Sequence, residues 1–194
     1  MKYLLNLSIC FFLISSLHAQ RIDLTFSNDY QAEKNLQVTD DSGALLQLST
    51  QSFKKRKQPQ ILLEKKDPNG KTIWSRNYGG NSYERAGALL ATSDGGYLIL
   101  GSTSSYGKGN YDLWLVKTDE KGREIWNQTY GGFYNEYGYG LKVTKEGNYL
   151  IRAKQQVCEG AKNNFSACKD YIWLVETDTK GKEIRNQTLD VLAQ

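Results

Sequence analysis

The chain has 194 residues, 25 Lys and Arg against 21 Asp and Glu, a formal net charge of +4, and 18 Gly beside 2 Pro. So mild a charge argues against a dedicated nucleic-acid protein. The single histidine, His18, rules out Ser-His-Asp and Cys-His catalysis elsewhere, along with every metal signature built on histidine.

The first 19 residues read as a secretory signal peptide. Lys2 supplies the positive start, Leu4 to Leu17 the apolar run, and Leu17-His18-Ala19 the small-residue cleavage site. The run is too short to favour a membrane span. A lipoprotein reading through Cys10 is weakened by bulky Ile9 before it. Removing residues 1–19 also removes Lys2, taking the charge from +4 to +3. The expectation is an exported protein, periplasmic, cell-surface or secreted, with residues 20–194 forming one repeat domain and no membrane span.

After the signal, Ile22-Asp23-Leu24-Thr25-Phe26 alternates apolar and polar and reads as an extra strand able to pair with the last unit. From there the chain repeats itself. Trp74 and Trp126 stand 52 residues apart in Gly70-Lys71-Thr72-Ile73-Trp74 and Gly122-Arg123-Glu124-Ile125-Trp126. A third copy reads Gly181-Lys182-Glu183-Ile184-Arg185. Such a period marks a unit that buries its apolar face only against neighbours. Three units are expected, at about 28–80, 81–132 and 133–190.

The middle unit carries four short runs: 86–91, 97–100, 113–116 and 124–130. Asp94-Gly95-Gly96, Gly107-Lys108-Gly109-Asn110 and Asp119-Glu120-Lys121-Gly122 separate them. This predicts an antiparallel meander. Its inner runs, Tyr97-Leu98-Ile99-Leu100 and Leu113-Trp114-Leu115-Val116, are apolar without alternation, so both faces should be covered. In the first unit Asp41-Ser42-Gly43 and Asp67-Pro68-Asn69-Gly70 are the matching turns. Lys54-Lys55-Arg56-Lys57 falls in a connecting loop from Thr50 to Gln60. In the third unit Trp114 to Trp173 spans 59 residues, and the surplus falls in the loop bearing Cys158 and Cys168. Two cysteines in an exported chain favour a disulfide over a metal pair. Arg185 replaces tryptophan and Leu189-Asp190 replaces Tyr-Gly-Gly, as a terminal cap would. The predicted fold is all-β: a β-propeller-like array of about three four-stranded antiparallel blades, open or incomplete as a single chain.

These residues resemble the seven-bladed beta-propeller (SBBP) repeat family of exported bacterial proteins. The matching pattern is Ile73-Trp74, Tyr78-Gly79-Gly80, Glu84, Asp94-Gly95-Gly96-Tyr97 and Gly101-Ser102-Thr103-Ser104-Ser105, then Tyr130-Gly131-Gly132, Glu136 and Glu146-Gly147-Asn148-Tyr149. The second pass has Ala153-Lys154 where Gly-Ser would fall. The resemblance covers about 36–188. It implies a propeller and export, and no shared catalytic residues. Family members usually carry more units, so three imply either an open arc or a homodimer completing a six-bladed ring.

No catalytic residue, metal site or cofactor is assigned. Glu84 and Glu136 recur after Gly-Gly, and read either as ligand- or cation-facing carboxylates or as structural acceptors of turn amides. The turns at Asp67, Asp119 and Asp178 read as ordinary hairpin chemistry rather than calcium loops. Phe133-Tyr134-Asn135-Glu136-Tyr137-Gly138-Tyr139 is the densest aromatic cluster. Its Tyr134, Tyr137 and Tyr139 could either stack on a sugar or peptide or pack between sheets. Trp74, Trp114, Trp126 and Trp173 read as repeat core. Asn127-Gln128-Thr129, Asn164-Phe165-Ser166 and Asn186-Gln187-Thr188 match a glycosylation acceptor, without meaning in a bacterial exported protein, and two of the three fall in predicted strands. The functional expectation is a non-enzymatic binding or scaffold module with a glycan or protein ligand. The alternatives are a carboxylate-based hydrolase or lyase on a surface polysaccharide, and a truncated propeller relative without autonomous function.

Overall fold

Each regular element of this computed structural model is a strand. It describes residues 36–39, 44–53, 56–158 and 168–190. The signal peptide, the strand expected at 22–26, the Asp41-Ser42-Gly43 turn, Lys54-Lys55 and the Asn164 acceptor lie outside the described residues. The strands are β1 (Leu36–Thr39), β2 (Leu45–Phe53), β3 (Arg56–Lys66), β4 (Thr72–Tyr78), β5 (Glu84–Ala91), β6 (Tyr97–Thr103), β7 (Asp112–Thr118), β8 (Glu124–Tyr130), β9 (Asn135–Val143), β10 (Tyr149–Cys158), β11 (Cys168–Thr177) and β12 (Glu183–Asp190). They form three four-stranded antiparallel meanders, β1–β4, β5–β8 and β9–β12. Among the described residues no sheet closes on itself. No helix among the described residues is long and apolar enough to cross a membrane.

The turns explain the meander. Asp67, Asp119 and Asp178 each accept two backbone amides on Oδ1, from Asn69 and Lys71, Lys121 and Arg123, and Lys180 and Lys182, at 2.8–3.0 Å. The glycine closing each turn, Gly70, Gly122 or Gly181, is left-handed at φ 82°, 70° or 80°.

The continuous apolar runs of β6 and β7 divide between two faces. Tyr97, Ile99, Trp114 and Val116 pack with Leu46, Leu48, Ile61, Leu63 and Tyr78 of the first sheet. Leu98, Leu100, Leu113 and Leu115 pack with Tyr149, Ile151, Trp173 and Val175 of the third. The middle sheet is thus covered on both sides. Burying each such side chain contributes roughly 1.5–3 kcal/mol.

One clasp joins each sheet to the next. Tyr78 Oη donates to the Gly122 carbonyl, and Tyr130 Oη to the Gly181 carbonyl, both at 2.6 Å. The rings of Trp74 and Trp126 lie over the same two glycines, where a Cβ would come within 2.8 Å of Cζ3. Trp114 and Trp173 are buried, while Trp74 and Trp126 are half-buried in this role.

Two expectations change. The loop from Thr50 to Gln60 is much shorter, because β2 runs to Phe53 and β3 starts at Arg56, pairing Pro59 with Ser52 and placing Arg56 and Lys57 in a strand. The surplus in the third unit is also more than a loop. β10 and β11 have ten residues each against seven in β6 and β7, and the ladder continues to the Cys158–Cys168 pair. Those two cysteines form a disulfide. Ladder hydrogen bonds absorb part of the insertion, and the disulfide fastens the end.

Candidate functional site

At one end of the sheets, the loops between successive sheets meet the β6–β7 loop. Backbone bonds organise the meeting. The Tyr111 carbonyl accepts from Glu136 N at 2.7 Å, and Ser104 N donates to the Tyr83 carbonyl at 2.9 Å. Tyr111 and Asn135 form a parallel bridge between the second and third sheets. The result is an open cleft of about 540 Å³, lined by Ser82, Tyr83, Ser104, Tyr111, Asn135 and Tyr137, with Gly109 and Asn110 at its rim. No lining residue carries a charge. Tyr83 is 47% exposed. Tyr137 is held by Tyr111 at 5.4 Å between ring centroids and by the cations of Arg85 and Lys154 at 5.5 and 5.4 Å from its ring. A second cleft, of about 390 Å³, opens at the opposite end beside Trp126, Val143 and Tyr149, where Lys117 pairs with Asp94 at 2.9 Å.

Of the tyrosines expected at a ligand site, only Tyr137 lines the first cleft. Tyr134 is 40% exposed on the loop beside it. Tyr139 lies further along β9 under the Arg152 guanidinium, 5.4 Å from its ring. Burial pushes the Tyr137 phenol above its ordinary pKa. Sequence reasoning missed Tyr83 and Tyr111. Neither belongs to a dense aromatic cluster, and only the folding of two separate loops brings them beside Tyr137.

Glu84 and Glu136 occupy equivalent, fully buried positions, and neither lines the cleft. Glu84 is satisfied: Thr103 Oγ1 donates to Oε1 at 3.0 Å and Gln60 Nε2 to Oε2 at 2.7 Å. Glu136 is half satisfied. Gln155 Nε2 donates to Oε1 at 3.2 Å, and Oε2 has no hydrogen-bond partner. The residue standing where Gln60 stands is Asp112, itself 1% exposed. Its Oδ2 accepts the amides of Lys108 and Gly109 at 3.1 and 2.9 Å. Burial pushes the Glu136 carboxyl above the usual carboxylate range, the Gln155 amide offsets part of the push, the Asp112 carboxylate adds to it, and the nearby Gly132 backbone amide eases it a little. Among the described residues no group of three His, Cys, Asp or Glu side chains gathers as a metal cluster. Asp112 was also missed, although its substitution at a repeated position is visible once the units are aligned.

No model of a known protein family matches the chain, and no curated protein does either.

Proposed function

We propose that this chain is an exported, non-enzymatic binding module of the SBBP type, its three sheets acting as successive blades of an open β-propeller array. Its ligand is neutral and hydroxyl-rich, a glycan in the first instance. One observation carries this reading: the cleft between the second and third sheets is walled by tyrosine rings, hydroxyls and amides and by no charged side chain. Sugar rings stack on aromatic faces and satisfy such hydroxyls, whereas anionic polymers and nucleic acid need cations that this lining lacks. The disulfide supports an oxidising compartment.

The hydrolase alternative loses support from burial. A general acid or nucleophile must reach the substrate, and both Glu84 and Glu136 are 0% exposed. The paired six-bladed ring also loses support. Arg185 stands where Trp74 and Trp126 clasp the next sheet, and it pairs instead with Glu176 of its own sheet at 2.6 Å. Leu189 stands where Tyr78 and Tyr130 donate across the junction.

Titration calorimetry of the purified protein against neutral oligosaccharides and cell-wall fragments tests the reading. Binding is expected, with loss of at least tenfold in affinity in Tyr83→Ala and an unchanged melting temperature. Binding that survives Tyr83→Ala together with Tyr111→Phe moves the ligand elsewhere. Turnover of any polymer, abolished by Glu84→Gln, returns the enzyme reading.

A further inference from the structure

The walls of the first cleft run directly into two buried carboxyls. Tyr111 precedes Asp112, and Asn135 precedes Glu136. Asp112 is 1% exposed and Glu136 is 0% exposed. Glu136 Oε2 and Asp112 Oδ1 lie 2.4 and 2.5 Å from the same point, the place a Cβ on Gly131 would take, so the two groups are close neighbours. Neither joins an ion pair among the described residues.

The surroundings decide which of the two gives up its charge. Asp112 Oδ2 accepts the amides of Lys108 and Gly109 at 3.1 and 2.9 Å, which stabilises its ionised form. Glu136 accepts one side-chain bond, from Gln155 Nε2 to Oε1 at 3.2 Å, and its Oε2 has no partner. From β10 the residue opposite it is that neutral Gln155. Alternation along β9 turns Tyr137 the other way, with the Arg85 and Lys154 cations over its ring and Lys154 paired with Asp170 at 3.2 Å. From the second sheet Glu136 meets Asp112, a like charge. A buried carboxylate oxygen with no donor beside a second carboxylate is costly, and one proton on Glu136 removes the cost. Burial, the largest influence on the Glu136 carboxyl, acts in the same direction. The first junction needs no such proton, because Gln60 Nε2 donates to Glu84 Oε2 at 2.7 Å.

We propose that the second junction is a proton latch on the cleft: Glu136 keeps its proton in the folded protein, and losing it parts the β6–β7 loop from the loop entering the third sheet. The connection is short. The Tyr111 carbonyl accepts from Glu136 N at 2.7 Å, Tyr111 and Asn135 form the parallel bridge, and the Tyr111 ring centroid lies 5.4 Å from that of Tyr137. When both carboxyls are charged, repulsion in a place shielded from water drives Asp112 from Glu136. The first residues to move are their neighbours Tyr111 and Asn135, two walls of the cleft. The cleft is therefore well formed in mildly acidic surroundings and loosens in alkaline ones, while the first junction does not respond. A carboxyl that holds its proton longer when folded contributes stability that is complete below its ordinary value of 4.5 and is lost as pH rises. The latch stands whatever the cleft binds, so the glycan reading can fail while the latch persists.

The test follows the protein from about pH 5 to about pH 8. In the parent labelled with carboxyl carbon-13 glutamate, one resonance should titrate above 4.5, and it should be missing from Glu136→Gln. Over the same range the parent should lose roughly 3–5 °C of melting temperature more than either Glu136→Gln or Asp112→Asn. Asp112→Asn keeps an oxygen for the Lys108 and Gly109 amides and offers Glu136 Oε2 the kind of donor that Gln60 gives Glu84. At about pH 8, amide exchange at 109–111 and 135–137 should be at least tenfold faster in the parent than in Glu136→Gln, and at about pH 5 the two should match. Amides 80–84 at the first junction should show no such difference. The absence of any glutamate titrating above 4.5 in the parent overturns the proposal, whether or not the variants fold. So does equal exchange at the cleft in the parent and Glu136→Gln at about pH 8, and so does an equal loss of melting temperature in the parent and both variants.

Discussion

The junction between the first and second sheets and the junction between the second and third share a frame and differ in chemistry. Both use a tyrosine hydroxyl donated to a turn glycine carbonyl at 2.6 Å. Both lay a tryptophan on that glycine. Both tie the incoming strand to a hydroxyl of the previous sheet, with Ala86 N donating to Thr50 Oγ1 and Gly138 N to Ser102 Oγ. Against this sameness stands the exchange of Gln60 for Asp112, which removes the amide that Glu84 Oε2 accepts and leaves Glu136 Oε2 without a side-chain donor. The difference teaches where to look in a repeat protein. Positions that repeat carry packing. A position that changes charge inside an unchanged frame carries something the frame does not require.

The largest expected effect tests whether the frames are truly equivalent. Trp114 faces the first sheet and Trp173 the second, with exposures of 2% and 7%. Each indole donates to an asparagine on the adjacent strand, Asn127 at 3.1 Å or Asn186 at 3.3 Å. Trp114→Ala and Trp173→Ala should each destabilise the protein by about 3–5 kcal/mol, as measured by urea unfolding. Similar costs support two equivalent joints. A cost confined to Trp114→Ala would make the third sheet a loosely attached appendage.

Next in size is the hairpin that sets the third sheet apart. Cys158 and Cys168, ten positions apart, close the lengthened β10–β11 ladder. Replacing both by alanine should cost about 2–3 kcal/mol in the chain-entropy account. The loss should appear first as faster amide exchange in β10 and β11 and not in the shorter β6–β7 hairpin. Uniform exchange across the two hairpins would remove the distinction.

How far these features were legible in the sequence follows from their range. The four strands of the middle sheet follow local signals, and β8 falls on Glu124–Tyr130 as its run predicted. Continuous apolarity in β6 and β7 correctly implied two covered faces, because a strand buried on both sides has no polar position to spare. The extension of β3 back to Arg56 was hidden, since a basic run with Pro59 reads locally as loop, while pairing with β2 overrides that preference. The cleft was mostly hidden. Tyr83, Tyr111 and Tyr137 lie on three segments and meet through the Tyr111–Asn135 bridge and the Ser104–Tyr83 backbone bond. Glu84 and Glu136 stood out by repetition. What separates them is a partner 24 residues away in each case, and that partner changes from amide to acid.

A smaller effect should come from the clasp hydroxyls. Burial holds the phenols of Tyr78 and Tyr130 far above their ordinary pKa, so both remain donors throughout the neutral range. Tyr78→Phe and Tyr130→Phe each leave a glycine carbonyl unpartnered and should cost about 1–2 kcal/mol, again by urea unfolding. Equal costs extend the equivalence of the joints from packing to hydrogen bonding.

The smallest effect separates the turns of the second and third sheets. Asp94 is drawn down to a pKa of about 2, chiefly by the Thr92 hydroxyl and then by Lys117, whose side chain is 5% exposed and whose ammonium also donates to the Thr118 carbonyl. In the third sheet Glu146 and Glu176 hold the matching places, and Glu176 turns instead to Arg185 and Asn148. A carboxyl whose folded pKa is depressed contributes stability that is complete above its ordinary value of 3.8 and is lost as pH falls through about 2. The parent should therefore lose melting temperature on acidification across that window, and Asp94→Asn should flatten part of the slope. The change will be modest because the Asp94 side chain is 61% exposed, so water screens most of the interaction. An unchanged slope would mean that neither the Thr92 hydroxyl nor Lys117 draws stability from the Asp94 carboxylate. The charge pattern at these turns would then not distinguish the two sheets.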